Sequence, residues 1–302
     1  MVKISSAANS DKVIRLHSKL RDYCILTKPE VNLLVVMTTA AGYYLACRRG
    51  INLLGLLNTV AGTLLVASGT ATLNQWMERT WDGQMRRTAK RPLPSGRVRS
   101  TEAFCFGVLL SIAGGVYLAL AVNLLAAMLA ISTLLSYLVI YTPLKRKTAL
   151  CTLLGAIPGA MPALIGWAGS SSGIDSRAWF LFAILFLWQF PHFLSIALMY
   201  REDYAVAGYK MLPDFDADGR FTRFEILGFT GMLVLLTGFL GLRSSAFCLA
   251  TSLAAGAFLL YPAAKLLTKG TRNLAARVVH VSVIYLPIIL IVMTRMKVTS
   301  AA

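Results

Sequence analysis

The chain has 302 residues, of which 57% are hydrophobic and only 14% are charged, and its formal net charge at pH 7 is +17. A soluble domain of this length rarely has so few charged residues, so the composition excludes an ordinary soluble enzyme. Several windows approach the roughly 20 uncharged residues that a helix needs to cross a hydrocarbon core of about 30 Å. The composition therefore predicts an all-α polytopic membrane protein.

Residues 1–30 form a predicted cytoplasmic N-terminal segment that mixes basic and acidic side chains. This segment lacks the apolar core of a secretory signal peptide, so a cleaved signal is not expected. The absence of a clear transit peptide favours a bacterial inner membrane over a mitochondrial inner membrane.

Residues 31–294 form the predicted transmembrane domain, and residues 295–302 form a C-terminal tail. The domain contains nine predicted spans, at residues 31–47, 53–73, 103–122, 124–141, 150–168, 179–200, 226–242, 246–264 and 278–294. The third and fourth spans are separated only around Asn123. Pro158 and Pro162 are predicted to interrupt the fifth span, because proline removes backbone hydrogen bonds that lipid cannot replace.

The basic residues test this topology. Of the 30 lysines and arginines, 24 lie before the first span or in every second connection after it, and 6 lie on the other side. This asymmetry predicts a cytoplasmic N-terminus and an external C-terminus. It also accounts for the net charge as an orientation signal beside anionic lipid, so nucleic acid is not an expected partner.

The cysteines predict neither disulfides nor a metal site. They show no CxxC pair, and four of the five lie in or at the edges of apolar spans, where cysteine acts as a small hydrophobe. They are Cys24, Cys47, Cys105, Cys151 and Cys248.

The connection between the second and third spans carries the densest polar pattern. Asn74, Glu78 and Asp82 are spaced four residues apart, so in a continuous helix they face one direction. Oxygen ligands on one face suit Mg²⁺, which binds one or two carboxylates together with substrate phosphates. The basic residues that follow can bind phosphate oxygens, arginine through two hydrogen bonds. They are Arg79, Arg86, Arg87, Lys90, Arg91 and Arg97.

The alternative is a solvated, positively charged loop with scattered ion pairs. Acids at the end of a lipid-embedded helix are costly, which favours a functional interpretation. Lys145, Arg146 and Lys147 add positive charge on the same side of the membrane, although three basic residues are also an ordinary topology anchor.

His192 and Asp203 are 11 residues apart in and after the sixth span. On one continuous helix they face the same way, about 16 Å apart along its axis, and could line one cavity without sharing an ion. For His192, and more strongly for His280, the alternative is a histidine hydrogen-bonded within the helix bundle.

Residues 214–225, DFDADGRFTRFE, match the sequence pattern of an EF-hand calcium loop. A working EF-hand needs two soluble helices that can open around the loop. Here the loop lies between two membrane spans, so calcium binding is not favoured.

The residues from Asn74 to Leu93 resemble the first signature of the UbiA-type intramembrane prenyltransferases, roughly N-x-x-x-[DE]-x-x-x-D-x-x-M-x-R-T-x-x-R-P-L. YTPLKRKT and GAIPGAMPALIGW resemble further blocks of that family. WQFPHF and REDYAVAGYKMLP resemble its haem-modifying branch in particular. The similarity extends from Thr27 to Leu286 and implies nine helices arranged around a central cavity.

The resemblance implies Mg²⁺-dependent transfer of the farnesyl group of farnesyl diphosphate to a vinyl group of haem b, giving haem O. The implied catalytic and metal-binding residues are Asn74, Glu78, Asp82 and Asp203. The implied substrate-binding residues are Arg87, Arg91, Tyr141, Lys145, Arg146 and, towards the haem, His192. The implied partners are membrane lipid and a downstream haem A synthase or haem–copper oxidase.

Three other functions are compatible with parts of the sequence. A prenyltransferase acting on a quinone precursor such as 4-hydroxybenzoate usually carries two or more spaced aspartates in the second loop, where this chain has only Asp203. A transporter would have broken helices in both halves. A non-catalytic assembly factor would not need the intact first motif. The acidic triplet Asp214, Asp216 and Asp218 departs from the family pattern.

Overall fold

The computed structural model describes residues 19–299, with the exception of residues 49, 172, 243 and 244. Within this part of the chain the regular structure is entirely helical. The long helices are α1 (Lys19–Leu26), α2 (Pro29–Ala46), α3 (Leu53–Asp82), α4 (Ser100–Ala121), α5 (Leu124–Leu135), α7 (Cys151–Ser170), α8 (Ser176–Met199), α10 (Arg220–Leu242), α11 (Ala246–Lys269) and α12 (Arg272–Thr299). The short helices are α6 (Thr142–Leu144) and α9 (Arg201–Val206).

The spans agree with the predicted count. Eight helical stretches in the described residues are long and apolar enough to cross a membrane, and one of them, Leu124–Leu144, joins α5, the π-helical Ser136–Tyr141 and α6. Helix α1 with α2, bent by 49°, makes the number nine when counted as one span. The domain boundaries at 30 and 294 fall inside helices α2 and α12, because both helices continue past the apolar segment. Most of the predicted N-terminal segment lies outside the described residues.

Asn123 explains why the third and fourth spans are separate helices. Its side-chain oxygen accepts a hydrogen bond from the amide of Ala126, which caps α5 at its N-terminus. Its side-chain amide donates to the carbonyl of Ala168 at the end of α7, 2.7 Å away. Asn123 therefore separates α4 from α5 and anchors this junction to α7.

Two predictions about helix continuity were wrong. Pro158 and Pro162 lie inside α7, which runs without interruption from Cys151 to Ser170. Proline removes a hydrogen bond donor but keeps helical φ, and neighbouring helices enclose α7, the most buried of the spans. His192 and Asp203, by contrast, do not share a helix, because the chain breaks at Tyr200 between α8 and α9. The prediction that their side chains face the same way along one helix therefore does not hold.

Helix α7 lies in the middle of the bundle and packs against α2, α3, α5 and α8. Its contact with α2 is close because both helices present glycine. A Cβ atom at Gly166 would collide with the backbone carbonyl of Thr39, and one at Gly42 with that of Ala163. This close approach fixes α2, and with it the residues before α2, relative to the rest of the bundle.

Candidate active site

The polar row predicted from the sequence lies on one helix. Helix α3 continues 30 residues to Asp82, so Asn74, Glu78 and Asp82 occupy successive turns of one face. All three side chains are buried, with exposed fractions of 0%, 5% and 1%. Polar side chains buried at this depth require partners.

Each member of this row is bound by a basic side chain. The Lys28 Nζ donates to the Asn74 Oδ1 at 2.9 Å, the Lys145 Nζ to the Glu78 Oε1 at 2.8 Å, and the Arg91 guanidinium to the Asp82 Oδ2 at 2.6 Å. We call these six residues the cation-paired row. The partners come from three separate segments, so the row is where the α1–α2 bend, the loop after α3 and the loop after α6 meet.

Lys28 is a site residue that the sequence analysis did not identify. It lies between α1 and α2 with φ of 51°, which makes it the one non-glycine residue in the described chain with left-handed backbone. Such a conformation is costly for a residue with a Cβ atom and is often found at functional sites. The Lys28–Pro29 step marks a helix boundary, but it predicts extended rather than left-handed backbone at Lys28, so no local pattern in the sequence indicated this contact.

Lys145 is held in the centre of the site. Its Nζ also lies 4.5 Å from the centre of the Tyr141 ring. Tyr141 ends a π-helical segment, Ser136–Tyr141, a rare geometry that often marks functional sites. Burial lowers the pKa of Lys145, but the Glu78 carboxylate and the neighbouring tyrosines together outweigh burial and raise this pKa well above its ordinary value. Lys145 is therefore a permanent cation.

Asp203 and Arg87 form a second group at the rim. The Asp203 Oδ2 accepts a hydrogen bond from the Arg87 backbone N–H at 3.3 Å, and the Arg87 side chain donates to the Tyr204 hydroxyl at 3.1 Å. The same guanidinium lies 4.7 Å from the centre of the Tyr200 ring. Arg146 lies over the ring of Trp81, at 4.3 Å. Stacking holds both arginines at the rim, where their charge can face an anionic ligand.

The oxygen atoms of the row on α3 are potential metal ligands. Asn74, Glu78 and Asp82 offer an amide oxygen and two carboxylates on one face, the donor set that suits Mg²⁺ when phosphate oxygens complete it. In the described residues no three histidine, cysteine, aspartate or glutamate side chains converge on one point. The residues therefore fit an ion shared with an anionic ligand better than a site closed by the protein alone.

Two acids of the EF-hand pattern have partners within the protein. The Asp214 carboxylate pairs with Lys210 at 3.0 Å, and the Asp216 carboxylate accepts a hydrogen bond from the Thr222 amide at 2.7 Å. The Asp216 bond supports the first turn of α10. Burial raises the pKa of Asp216, but the hydrogen bonds from Thr222 outweigh burial and lower it overall. Asp214 and Asp216 thus take part in local structure.

The two histidines have different surroundings. The His192 Nδ1 lies 2.9 Å from the Ser282 hydroxyl on α12, and its ring stacks on Trp188 at 4.8 Å. The His280 Nδ1 bonds the carbonyl of Ala276 in its own helix, and His280 is exposed on the bundle surface. His192 therefore makes the bond to a neighbouring helix that the alternative describes, whereas His280 bonds only within its own helix. Of the five cysteines, Cys24 and Cys105 are exposed, and Cys47, Cys151 and Cys248 are buried.

The long apolar helices make this chain an integral membrane protein. The basic side chains of the cation-paired row give it a site suited to an anionic ligand. Residues 35–285 match the UbiA prenyltransferase family. The chain belongs to this family and is a prenyltransferase, which confirms the resemblance found in its motifs.

Named relatives extend over most of the chain. It is 49% identical to the protoheme IX farnesyltransferase of Solibacter usitatus (strain Ellin6076) over 282 residues, which cover 89% of this chain and 96% of the relative. It is 40% identical to the protoheme IX farnesyltransferase of Opitutus terrae (strain DSM 11246 / JCM 15787 / PB90-1) over 278 residues, which cover 91% and 94%.

Solved structures support the fold. The chain matches a structure of digeranylgeranylglyceryl phosphate synthase with a TM-score of 0.74 at 19% identity, over 93% of this chain and 99% of the other. It matches a UbiA homologue from Archaeoglobus fulgidus bound to GPP and Mg²⁺ with a TM-score of 0.68 at 14% identity, over 90% and 99%. At these identities the similarity concerns the fold alone.

Proposed function

We propose that this protein transfers the farnesyl group of farnesyl diphosphate to a vinyl group of haem b, giving haem O and diphosphate. The relatives named protoheme IX farnesyltransferase, 40% to 49% identical over about nine-tenths of the chain, support this reaction. Within the molecule, the observation that carries the proposal is the cation-paired row. It combines three buried oxygen ligands with one buried ammonium and two partly buried basic side chains, which is what a metal-bound diphosphate requires.

The ionisation step uses this charge distribution. When the C1–O bond of farnesyl diphosphate breaks, both electrons leave with the diphosphate, whose negative charge increases. Lys145 and Arg91 in the row, with Arg87 and Arg146 at the rim, would donate hydrogen bonds to the departing oxygens. Stabilisation of developing charge by preorganised donors away from water is commonly the largest catalytic term.

After the C1–O bond breaks, the farnesyl group is joined to the haem vinyl group and water is added. The allylic C1 of the farnesyl group forms a bond to the terminal carbon of the haem vinyl group. The remaining vinyl carbon becomes cationic, binds the oxygen of a water molecule and loses a proton, which leaves a hydroxyl group. The apolar bundle would hold the farnesyl chain and exclude water from C1 until the bond forms.

Asn74, Glu78 and Asp82 are the proposed ligands of Mg²⁺. The bound ion would neutralise diphosphate charge and polarise the C1–O bond. Asp203 is proposed to contribute to a second Mg²⁺ or to steer the acceptor cation. Its hydrogen bond to the Arg87 amide supports a role in positioning that loop as well. The metal bound to the Archaeoglobus fulgidus homologue supports the choice of Mg²⁺.

His192 is proposed to face the haem, as an axial ligand or a partner of a propionate. Ser282 holds the Nδ1 atom, so the Nε2 atom is the one that would point to the acceptor. Tyr141 would line the diphosphate site beneath Lys145. The active-site loops and the N-terminus are proposed to face the cytoplasm of a bacterium, and a haem A synthase or haem–copper oxidase would receive the product.

The test is an assay on membranes that contain this chain, supplied with haem b, farnesyl diphosphate and Mg²⁺, with extraction and chromatography of the haems. We expect a farnesylated haem that disappears when Mg²⁺ is chelated. Asp82→Asn keeps the size of the side chain and removes its charge, so the rate should fall by about 100-fold or more.

The matched control is Asp175→Asn. Asp175 caps the far end of α8, so its replacement should leave the rate near the unmodified value. A prenylated 4-hydroxybenzoate without any farnesylated haem would overturn the acceptor assignment. Equal activity of the Asp82→Asn variant would overturn the role of the row.

A further inference from the structure

Tyr209 presents a buried hydroxyl group that has no partner among the described residues. The side chain is 3% exposed, and its hydroxyl oxygen makes no hydrogen bond. A buried polar group without a partner is destabilising and therefore uncommon in native proteins. The reaction proposed above does not use this residue.

The hydroxyl belongs to the charged centre of the site. Burial and then the negative charge of Glu78 raise the pKa of Tyr209, and Lys145 and Asp82 also act on it. The Glu78 carboxylate acts on this hydroxyl at short range, but no contact of the hydroxyl within the described residues reaches hydrogen-bond geometry, so the donor is not satisfied by the protein. The phenol stays protonated across the physiological pH range, so it is available as a donor.

The chain fixes the Tyr209 side chain in place. The Tyr209 amide donates to the Tyr204 carbonyl at 2.9 Å, and the Lys210 amide donates to the Lys145 carbonyl at 2.7 Å. Gly208 turns the chain with φ of 69°, a conformation that glycine adopts without strain. The Tyr209 ring packs edge-on against Tyr204 with centroids 5.7 Å apart. The hydroxyl is therefore preorganised rather than free to find an acceptor in the protein.

We propose that the Tyr209 hydroxyl donates a hydrogen bond to a diphosphate oxygen of the bound prenyl substrate. The ligand brings acceptor oxygens to the space beside Glu78 and Lys145, where the hydroxyl makes no hydrogen bond of good geometry within the described residues. The inference rests on the proposed function only in taking a diphosphate as the ligand of the row, and it does not depend on the acceptor.

The test uses Tyr209→Phe, which removes the hydroxyl and keeps the ring. The dissociation constant of inorganic pyrophosphate in the presence of Mg²⁺ is measured by calorimetry on the full chain in lipid nanodiscs. We expect binding to weaken by about 10- to 100-fold, as for loss of a hydrogen bond to a charged group. The thermal midpoint should stay the same or rise, because no hydrogen bond within the protein is lost.

Tyr43→Phe is the matched control. Tyr43 is also buried, but its hydroxyl donates to the carbonyl of Asn52 at the opposite end of the bundle. Its replacement should lower the thermal midpoint and leave pyrophosphate binding unchanged. A purely structural role of Tyr209 would give the same pattern as Tyr43.

Unchanged pyrophosphate affinity in the Tyr209→Phe variant would overturn the inference, whatever the transfer rate. Weakened affinity in a protein that farnesylates no haem would support the inference and reject the acceptor. If the unmodified protein binds no pyrophosphate with Mg²⁺, both the inference and the diphosphate site are wrong.

Discussion

Individual side chains of the cation-paired row must be understood through the cost of burying charge. A carboxylate taken out of water loses several kcal/mol of solvation, and only a close, hydrogen-bonded counter-charge offsets the loss. Glu78 and Asp82 each have such a counter-charge in Lys145 and Arg91. The arrangement holds both carboxylates on one face of α3, where they can bind a divalent cation. It also places Lys145 and Arg91 where their N–H groups can donate to the phosphate oxygens of a bound ligand instead of to the carboxylates.

The pair between Lys145 and Glu78 gives a prediction about stability. Lys145→Met leaves Glu78 buried without its counter-charge, so the free energy of unfolding should fall by about 3 to 5 kcal/mol. Lys147→Met is the control, since Lys147 is an exposed lysine two residues away. Denaturation in mild detergent, with the three proteins compared at pH 7, measures the difference.

The raised pKa of Lys145 fixes how this difference varies with pH. The folded-state pKa lies above the unfolded value of about 10.4, so the contribution is fully present below that value. It declines at higher pH and is lost as the pH rises through the folded-state pKa. The stability gap between the unmodified protein and Lys145→Met should therefore be the same at pH 7 and pH 9. A gap that shrinks between these values would contradict a cationic Lys145 with a raised pKa.

At the scale of the helices, close packing determines where the loops meet. Lys28 reaches Asn74 only because α2 is held tightly against α7 through Gly42 and Gly166. The break at Tyr200 then directs α9 sideways, which brings Asp203 to the loop that contains Arg87. Helix contacts thus assemble the site, although they lie outside it.

Gly166→Ala tests this dependence. The added Cβ would collide with the backbone of Thr39, which cannot move without shifting α2. Overpacking of this kind costs about 1 to 3 kcal/mol, and displacement of Lys28 should lower the transfer rate as well. Gly228→Ala on α10 is the control, because a Cβ atom there has open space. Thermal unfolding and the transfer assay, run on both variants, distinguish the two positions, and equal behaviour would refute the packing argument.

For the whole molecule, the loops of the site share one side of the membrane with most of the positive charge. Connections after α3, after α6 and around α9 carry the site, and these connections belong to the side with 24 of the 30 basic residues. Anionic lipid attracts this surface and orients the bundle. The same charge would attract a substrate with a diphosphate head.

Labelling of single cysteines can test this orientation in a bacterial host. All five native cysteines are first replaced by alanine, and Lys90→Cys or Gly50→Cys is added, since both positions are exposed. A membrane-impermeant maleimide applied to spheroplasts should label Gly50→Cys and leave Lys90→Cys unlabelled until the cells are lysed. The opposite pattern would place the active-site loops outside.

The sequence by itself determined the features that depend on local chemistry. Lipid imposes hydrophobic segments of helical length, so the spans could be counted from the chain, and helical periodicity placed Asn74, Glu78 and Asp82 on one face. The family motif contains Asn74, Glu78 and Asp82, which the structure buries on one face of α3. The prediction that Pro158 interrupts the fifth span was wrong, because a helix packed among neighbouring helices tolerates the proline.

Only the tertiary structure decided which side chains meet across long separations. Glu78 and Lys145 are 67 residues apart, Lys28 and Asn74 are 46 apart, and no periodic pattern links either pair. The same holds for Tyr209, whose loop is positioned by a backbone hydrogen bond to Lys145. The physical reason is that hydropathy and helix period act along one segment, whereas the partners of a buried charge depend on how closely the helices pack, and glycine contacts between distant helices set that distance.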